Sequence, residues 1–333
     1  MSAALGLDFV LPASLEAHEP PAVRDQVRLL VSAGDRISHH RFTDLPALLR
    51  PGDVLVVNTS ATLPASVPVV GAPLRLNFSS ELPSGRWLVE VRGADLRPRP
   101  GAAGVVALPG GHSVTLLEPY SRGRLWVASA GFPVPEFLQR HGEPIRYPYV
   151  RRAWPIEAYQ TVFATHPGSA EMPSAARPFS DRVVTRLVAA GVQFAPLVLH
   201  TGVASPEAHE RPYSEFFSVP PASARLVNAA RAAGARIIAV GTTAVRALES
   251  AADASGTVVA REGWTDLIVT PSRGVRVVDG LLTGFHEPRA SHLDLLAAVA
   301  SPCVLERSYA AALSSGYRWH EFGDVHLLLP SPG

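Results

Sequence analysis

The chain has 333 residues, which is long enough for two domains or for one large domain that carries an insertion. Hydrophobic residues make up 47% of the chain and charged residues 18%, a composition that excludes a disordered chain and a coiled coil. The formal net charge of +1 gives no strong overall field for nucleic acid, so any basic surface must be local.

The cysteine content and the apolar runs indicate a cellular compartment. The single cysteine, Cys303, excludes a disulfide framework or a cysteine-based zinc site within the chain and fits a reducing cytoplasm. The first twelve residues lack the basic start and long apolar core of a signal peptide. No apolar run approaches the roughly 20 residues that span a bilayer. We therefore expect a soluble cytoplasmic protein with no membrane contact and no bound metal.

The first half of the chain predicts two kinds of structure. Residues 45–57, LPALLRPGDVLVV, predict a short helix, a turn and a buried strand. Between residues 67 and 150, short β-like runs alternate with Gly- and Pro-rich turns, as in a small antiparallel barrel or sandwich. These runs are LRLNF, WLVEV, GVVAL, SVTLL and LWVAS.

After residue 151 the pattern changes to helices that alternate with apolar strands, which indicates an α/β domain. Residues 180–191 predict a helix with Ser180 as N-cap and Gly191 just after its end. Further helices are predicted at 221–234, 289–300 and 304–315, strands at 237–240 and 325–329, and a strand followed by a turn at 275–282. The predicted main domain therefore comprises residues 1–66 plus 151–333, and residues 67–150 form an inserted β domain.

The stretch IIAVGTTAVRALES, residues 237–250, predicts a buried strand, a tight turn at Gly241 and a helix. Thr242 or Thr243 can cap this helix, and the free N–H groups at its start favour an anion. Arg246 and Glu249 lie three residues apart on one helix face, where they can form an ion pair. Two interpretations stay open, a binding site or an ordinary strand–helix joint of an α/β protein.

Three further segments contain candidate site residues. Trp264 and Asp266 precede an apolar, strand-like run, and an aromatic ring beside a carboxylate can hold a cation. His286 lies in VDGLLTGFHEP and is a candidate acid or base because histidine titrates near neutrality. HERPYSEFF, residues 209–217, includes Glu215 and predicts either a polar site or a surface loop. Three of these residues also have a structural interpretation: Trp264 as a core tryptophan, Asp266 as an exposed turn aspartate and His286 as a hydrogen-bonded loop histidine.

Motifs along nearly the whole chain resemble one family, the S-adenosylmethionine:tRNA ribosyltransferase-isomerases of queuosine synthesis. The resemblance implies an α/β fold, with an α/β-barrel-like main domain and a smaller inserted β-barrel domain. The matching motifs are VRDQVRLLV (23–31), HHRFTDLPALLRPGDVLVVN (39–58), YPYVRR (147–152), YQTVFA (159–164), VGTTAVRALES (240–250), GWTD (263–266), VVDGLLTGFHEPRAS (277–291) and YRWHEFGD (317–324).

The resemblance also implies a reaction and its substrates. The ribosyl part of S-adenosylmethionine is transferred to 7-aminomethyl-7-deazaguanine in tRNA and becomes an epoxycyclopentane, while adenine and methionine leave. S-adenosylmethionine and tRNA are the implied partners, and we expect a monomer.

The implied chemistry assigns candidate roles to residues in the matching motifs. The methionine carboxylate requires an arginine or a helix N-terminus, and the sulfonium requires an aromatic or acidic neighbour. A base is needed to remove the acidic proton at ribose C5′. The candidate S-adenosylmethionine-binding residues are Gly241, Thr242, Thr243, Arg246, Trp264, Asp266, Thr283 and Phe285, and the candidate catalytic residues are His286, Asp324 and Glu215.

The chain departs from the family pattern in three blocks, residues 58–66, 168–180 and 200–215. An acid and two arginines are missing from the first block, and a histidine and a glycine from the second. In the third block a tyrosine replaces a histidine, while His200 is kept. The replaced positions are Thr59, Ala61, Ser66, Ala176, Pro178 and Tyr213.

These departures leave the acceptor open, because lost arginines remove possible phosphate contacts and a lost histidine removes a possible acid or base. The leading hypothesis is the family reaction on tRNA. One alternative is a diverged paralogue that uses S-adenosylmethionine on another acceptor, which can be a small molecule. The other is a protein that binds S-adenosylmethionine without turnover.

Overall fold

A computed structural model of the protein describes residues 9–120, 123–203 and 213–331 as a mixed α/β structure. The strands are Arg28–Ala33 (β1), Arg36–Arg41 (β2), Val54–Asn58 (β3), Ser60–Thr62 (β4), Ser66–Pro68 (β5), Leu74–Glu81 (β6), Trp87–Gly93 (β7), Gly104–Ala107 (β8), Ser113–Tyr120 (β9), Leu125–Ala130 (β10), His166–Ser169 (β11), Gln193–Leu199 (β12), Glu215–Val219 (β13), Ile237–Val240 (β14), Arg261–Thr265 (β15), Gly280–Gly284 (β16) and Val325–Leu329 (β17).

Seven α-helices lie within the described residues. They are Leu45–Leu48 (α1), Val134–His141 (α2), Asp181–Ala189 (α3), Pro221–Ala232 (α4), Thr242–Ser250 (α5), His292–Val299 (α6) and Pro302–Ser314 (α7). None of these helices is long and apolar enough to cross a membrane.

The larger sheet has nine strands in the order β15-β13-β12-β3-β14-β16-β17-β1-β2. Its central strands β12, β3, β14 and β16 are mutually parallel, so they end at the same edge, which we call the carboxyl edge. Strand β17 is antiparallel to β16, and β13 to β12, so both begin at the carboxyl edge. Strand β15 runs opposite to β13 and ends there. One end of each of these seven strands therefore lies at this edge.

The central strands are covered on both faces, as their continuous apolar sequences predict. Along β14, Ile237 and Ala239 pack into one hydrophobic cluster, together with residues of α4, α5, α6 and α7. Ile238 and Val240 point to the opposite face, where they pack against α1 and α3. The alternation follows from the two-residue period of a strand and produces three layers.

The smaller sheet has six antiparallel strands in the order β5-β6-β7-β10-β9-β8, and each of the five β-like runs of the sequence contributes a strand. Its interior is one hydrophobic cluster that includes Phe78, Trp87 and Trp126. The N–H of Val70, just after β5, donates to the carbonyl of Ala107 in β8 at 2.9 Å. This bond connects the two outer strands of the sheet.

Local signals in the sequence placed most helices correctly. Helix α3 begins after Ser180, whose hydroxyl accepts a hydrogen bond from the N–H of Val183 at 3.3 Å, as the N-cap prediction requires. Gly191 follows the helix with φ of 81°, a left-handed conformation that favours glycine.

Two predictions around Glu249 were wrong. Glu249 does not pair with Arg246; its buried carboxylate contacts the Arg273 guanidinium at 2.9 Å. It also accepts hydrogen bonds from the backbone N–H groups of residues 276–278 at 2.8 to 3.4 Å. Since the carboxylate satisfies these groups, residues 275–279 form a loop, and β16 begins only at Gly280.

We predict that this buried carboxylate stabilises the fold. Glu249→Ala would leave the Arg273 side chain and three backbone donors without their acceptor, so the free energy of unfolding should fall by about 3–5 kcal/mol. Urea denaturation measures the change.

The matched control is Asp35→Ala. Asp35 and Arg307 form an ion pair at 3.5 Å with side chains 89% and 49% exposed, and exposed pairs contribute about 0–1 kcal/mol. A Glu249→Ala variant as stable as this control would contradict the prediction.

Candidate active site

Polar, aromatic and glycine residues stand at or just after the ends of the central strands, at the carboxyl edge. Asn58 ends β3, His200 follows β12, Gly241 follows β14 and Phe285 follows β16. Because these four strands are parallel neighbours, the residues that follow them lie side by side, and this is where open α/β sheets bind ligands. The carboxyl edge is therefore the candidate active site.

The turn at Gly241 leads directly into α5. Gly241 has φ of 90°, which favours glycine, and its N–H donates to the Leu282 carbonyl at 2.8 Å. The prediction that a threonine caps α5 was wrong, because Gly241 is the N-cap residue and no side chain caps the helix. The first-turn N–H groups at Thr242 and Thr243 and the helix dipole together favour an anion at this point.

Asn58 joins three elements at the carboxyl edge and is fully buried. Its Nδ2 donates to the Leu199 carbonyl at 2.8 Å and to Thr243 Oγ1 at 3.3 Å. Its Oδ1 accepts from the N–H groups of Leu199 and Ser60, both at 3.0 Å. One carboxamide therefore fixes the ends of β3 and β12 and the start of α5 relative to one another.

His200 belongs to a chain of hydrogen bonds between blocks that depart from the family pattern. Its Nδ1 lies 2.7 Å from Ser60 Oγ, which lies 2.6 Å from Ser169 Oγ. A Cβ on Gly168 would come within 2.5 Å of the imidazole, so only glycine fits beside it. Burial, together with the nearby His166, lowers the pKa of His200 to about 4. The ring is therefore neutral at physiological pH and able to accept a proton.

Arg246 and Glu215 form a buried ion pair between α5 and β13. The Arg246 Nε also donates to the Leu267 carbonyl at 3.0 Å, and Nη2 donates to the Thr265 carbonyl at 3.3 Å. The second oxygen of Glu215 accepts from the Gly202 N–H at 2.9 Å. Most donors of the guanidinium are therefore bound within the protein.

Trp264 and Asp266 lie at the carboxyl end of β15. The predicted strand after them does not form, because β15 covers residues 261–265 and includes Trp264 itself. The Trp264 ring meets Phe216 of β13 edge to face, with centroids 6.3 Å apart. Trp264 is half-buried and Asp266 is exposed, so both can be reached by a ligand.

His286 is held between Thr283 and His292. Its Nε2 lies 2.9 Å from Thr283 Oγ1, and the His292 ring is stacked on it with centroids 4.6 Å apart. Burial lowers the pKa of His286 well below its ordinary value, and His292 and His326 lower it further. Burial and the charge of Arg246 lower the pKa of His292 to about 4. Both imidazoles are neutral at physiological pH.

Phe285 and Asp324 have mainly packing and anchoring contacts. Phe285 is buried and stacked on His326, with centroids 5.7 Å apart. The Asp324 carboxylate accepts from the backbone N–H groups of Arg28 and Arg318 at 2.7 and 2.8 Å, and from the Arg28 guanidinium at 2.9 Å. Asp324 thus joins the starts of β1 and β17.

A second polar group was missing from the predicted site residues. The Tyr149 ring is stacked on His320 with centroids 3.8 Å apart, and its hydroxyl donates to Glu321 at 2.6 Å. Tyr147 donates its hydroxyl to Glu171 in the same way. Burial raises the pKa of Glu321 to about 7. The motifs YPYVRR and YRWHEFGD were the available signal, since they contain both tyrosines and Glu321.

The predicted residues fall into two neighbouring groups. Glu215, Arg246, Trp264 and Asp266 surround β13 and β15, and Thr283, Phe285, His286 and Asp324 surround β16 and β17. Helix α5 contacts β13, β15 and β16, so the two groups are neighbours. Sequence reasoning did not select Asn58 or His200 as site residues, although both stand at strand ends. The first four residues of the segment HERPYSEFF, residues 209–212, lie outside the described residues.

Comparisons with known proteins cover almost the entire chain. The family model described as "Queuosine biosynthesis protein" matches residues 5–328. A curated relative from Symbiobacterium thermophilum, named S-adenosylmethionine:tRNA ribosyltransferase-isomerase, is 37% identical over 97% of this chain and 98% of its own length. A relative of the same name from Gloeobacter violaceus is 36% identical over 98% of this chain and 96% of its own length.

A solved structure has a similar fold. It is the crystal structure of S-adenosylmethionine tRNA ribosyltransferase from Thermotoga maritima, with a TM-score of 0.56 and 30% sequence identity. The match covers 97% of this chain and 99% of that chain.

The buried histidines predict an acid-sensitive fold. Burial lowers the pKa of His326, which is 0% exposed, to about 3. The unfolded chain binds a proton below about pH 6.5, and the folded state does not. Stability should therefore be full above pH 6.5 and fall as the pH drops towards 3, by up to about 1.4 kcal/mol per pH unit for this residue. Urea denaturation across this range measures the slope.

His326→Gln should make the slope shallower by up to that amount. The control is His39→Gln, which changes an exposed histidine of β2 and should leave the slope as in the wild type. An unchanged slope in His326→Gln would contradict the prediction.

Proposed function

The chain belongs to the queuosine biosynthesis protein family, and on that basis we propose that it is an S-adenosylmethionine:tRNA ribosyltransferase-isomerase. It transfers the ribosyl part of S-adenosylmethionine to 7-aminomethyl-7-deazaguanine in tRNA and isomerises the sugar. The observation that carries this proposal is the full-length similarity, 37% identity over 97% of the chain, to a relative of that name. The similarity therefore extends over nearly the full length of both proteins.

The same family membership supports a finer description of the architecture. The nine-stranded sheet and its helices form the barrel-like main domain, residues 1–66 plus 151–333, and residues 67–150 form the inserted β-barrel domain. The hydrogen bond from Val70 to Ala107 supports closure of the smaller sheet. The protein acts as a monomer in the cytoplasm.

S-adenosylmethionine binds at the carboxyl edge in this proposal. Its carboxylate lies at the start of α5, where Gly241, Thr242 and Thr243 present backbone N–H groups. Its sulfonium lies near Trp264 and Asp266, which offer a ring face and a negative charge at an accessible position.

The other candidate binding residues contact the elements that form this site. Arg246 is bound to Glu215 and backbone carbonyls, so it positions these elements, and its direct contact with the carboxylate stays a prediction. Thr283 orients His286, and the buried Phe285 forms the wall beneath.

Proton transfer from ribose C5′ requires a base that is unprotonated at neutral pH. His286 meets this condition because burial keeps its imidazole unprotonated and Thr283 fixes its orientation, and the same burial lowers its strength as a base. Glu215 and Asp324 stay as further candidates. Their carboxylates already accept hydrogen bonds within the protein, so fewer of their lone pairs are available to a substrate proton.

A turnover assay tests the function. Purified protein is incubated with ribosyl-labelled S-adenosylmethionine and tRNA that carries 7-aminomethyl-7-deazaguanine. We expect adenine release together with label on the tRNA. Release of adenine and methionine only with cell extract and no tRNA labelling would favour the diverged paralogue. Binding of S-adenosylmethionine without any release would favour the protein without turnover.

His286→Gln tests the assignment of the base. Loss of a general base lowers kcat by about 10²–10⁴-fold, whereas the affinity for S-adenosylmethionine should stay within about twofold. His39→Gln serves as the control with wild-type kcat, since His39 is exposed on β2. A His286→Gln variant with wild-type kcat would remove His286 from catalysis and leave the family reaction intact.

A further inference from the structure

A cavity of about 300 Å³ lies between the smaller sheet and residues 143–159. Three arginines, Arg75, Arg92 and Arg146, line it together with a single carboxylate, Glu143. Its volume is at the lower end of the range for small-molecule sites. Because every basic residue of the chain is an arginine, arginine content alone indicates nothing, and the argument rests on how these three side chains are placed.

The arginines are held by neighbours in different ways. Arg92 is buried and pairs with Glu90 behind the cavity wall. Arg75 donates to Ser66 Oγ at 2.8 Å and to Glu143 at 2.8 Å. The Arg146 guanidinium makes only one long hydrogen bond among the described residues, 3.5 Å to the Arg151 carbonyl. An anion in the cavity would therefore find Arg146 available at little cost.

Two buried polar atoms on lining residues have no hydrogen-bond partner among the described residues. They are Asn77 Oδ1, an acceptor, and Trp154 Nε1, a donor. Buried polar groups are normally paired, so each indicates a ligand or water that supplies the missing partner. The Arg152 guanidinium covers one face of the indole at 4.0 Å and holds the ring in place. The cavity thus offers positive charge, a donor, an acceptor and an aromatic ring.

We infer that this cavity binds a nucleotide of the substrate tRNA that flanks the modified base, with its phosphate at Arg75 and Arg146 and its base edge at Asn77 and Trp154. A nucleotide has an anionic phosphate and a planar base with hydrogen-bond donors and acceptors. These groups complement the arginines, the polar atoms and the indole ring of the cavity. This inference rests on the proposed function. Residues 58–66 run from Asn58 at the candidate active site to Ser66 at the cavity, a separation of at most about 30 Å.

The test compares tRNA binding by Arg146→Ala, Trp154→Ala and the wild type over about 50–200 mM salt. The probe is tRNA carrying 7-aminomethyl-7-deazaguanine, followed by fluorescence anisotropy. Arg146→Ala should raise the dissociation constant about tenfold and lower the slope of log K against log salt by about 0.7–0.9. Trp154→Ala should raise the dissociation constant about tenfold without changing the slope. Arg146→Lys should restore the slope because it restores the charge.

The matched control is Arg86→Ala. Arg86 is an exposed arginine at the opposite end of the β6–β7 hairpin from Arg75, so the same charge is lost outside the cavity. It should bind tRNA as the wild type does. Thermal unfolding of each variant within a few degrees of wild type shows that folding is kept.

Each remaining outcome overturns a defined claim. Variants that bind tRNA within twofold of a wild type that labels tRNA overturn the cavity assignment only. Variants that lose affinity for S-adenosylmethionine, measured by calorimetry without tRNA, assign the arginines to the methionine carboxylate instead. A wild type that neither binds nor labels the tRNA overturns the proposed function and this inference together.

Discussion

The buried ion pair between Arg246 and Glu215 is the interaction on which the carboxyl edge depends. Arg246 extends from α5 to two carbonyls of the chain at Thr265 and Leu267, and Glu215 binds the backbone of Gly202. Separating two buried charges costs far more than an exposed pair contributes, so this pair joins α5 firmly to β13 and to the end of β15. The pair also fixes the distance between the turn at Gly241 and the ring of Trp264, the two features proposed to hold opposite ends of S-adenosylmethionine.

In the first block that departs from the family pattern, residues 58–66, two of the substituted side chains are polar and hydrogen-bonded, which bears on how the acceptor is recognised. Thr59, in place of an acid, lies 3.2 Å from His166 Nδ1. Ser66, in place of an arginine, accepts a hydrogen bond from Arg75 of the neighbouring strand, which brings a guanidinium to the same region. Since strands β5 and β6 are paired, a substitution on one strand can be offset from the other. A motif can therefore lose an arginine while the same region of the structure keeps a positive charge, as Arg75 does beside Ser66.

The sequence predicted the fold where the signal is local. Ser180 and Gly191 marked both ends of α3, and the alternating runs after residue 67 marked the strands of the smaller sheet. Predictions from the sequence were wrong where a contact with a residue distant in the sequence determines the local structure. Residues 275–279 are apolar enough for a strand, but the Glu249 carboxylate takes their N–H groups. Two carboxylates were possible partners of Arg246. In the folded chain it pairs with Glu215, 31 residues away in the sequence, and not with Glu249 on the same helix.

The same distinction explains which site residues were found. A candidate residue whose chemistry lies within one segment, such as a histidine in a loop, can be proposed from that segment, and His286 was proposed in this way. Asn58 has no such signal, because its importance arises from the simultaneous contacts with Leu199, Ser60 and Thr243. Burial in the folded chain and the nearby Glu171 raise the pKa of Glu321, while the hydrogen bond from Tyr149 opposes this shift, so the raised pKa depends on tertiary contacts. The residues of the carboxyl edge thus come together because of the order of the strands in the sheet. The same arrangement buries the histidines there, which lowers their pKa and keeps them neutral.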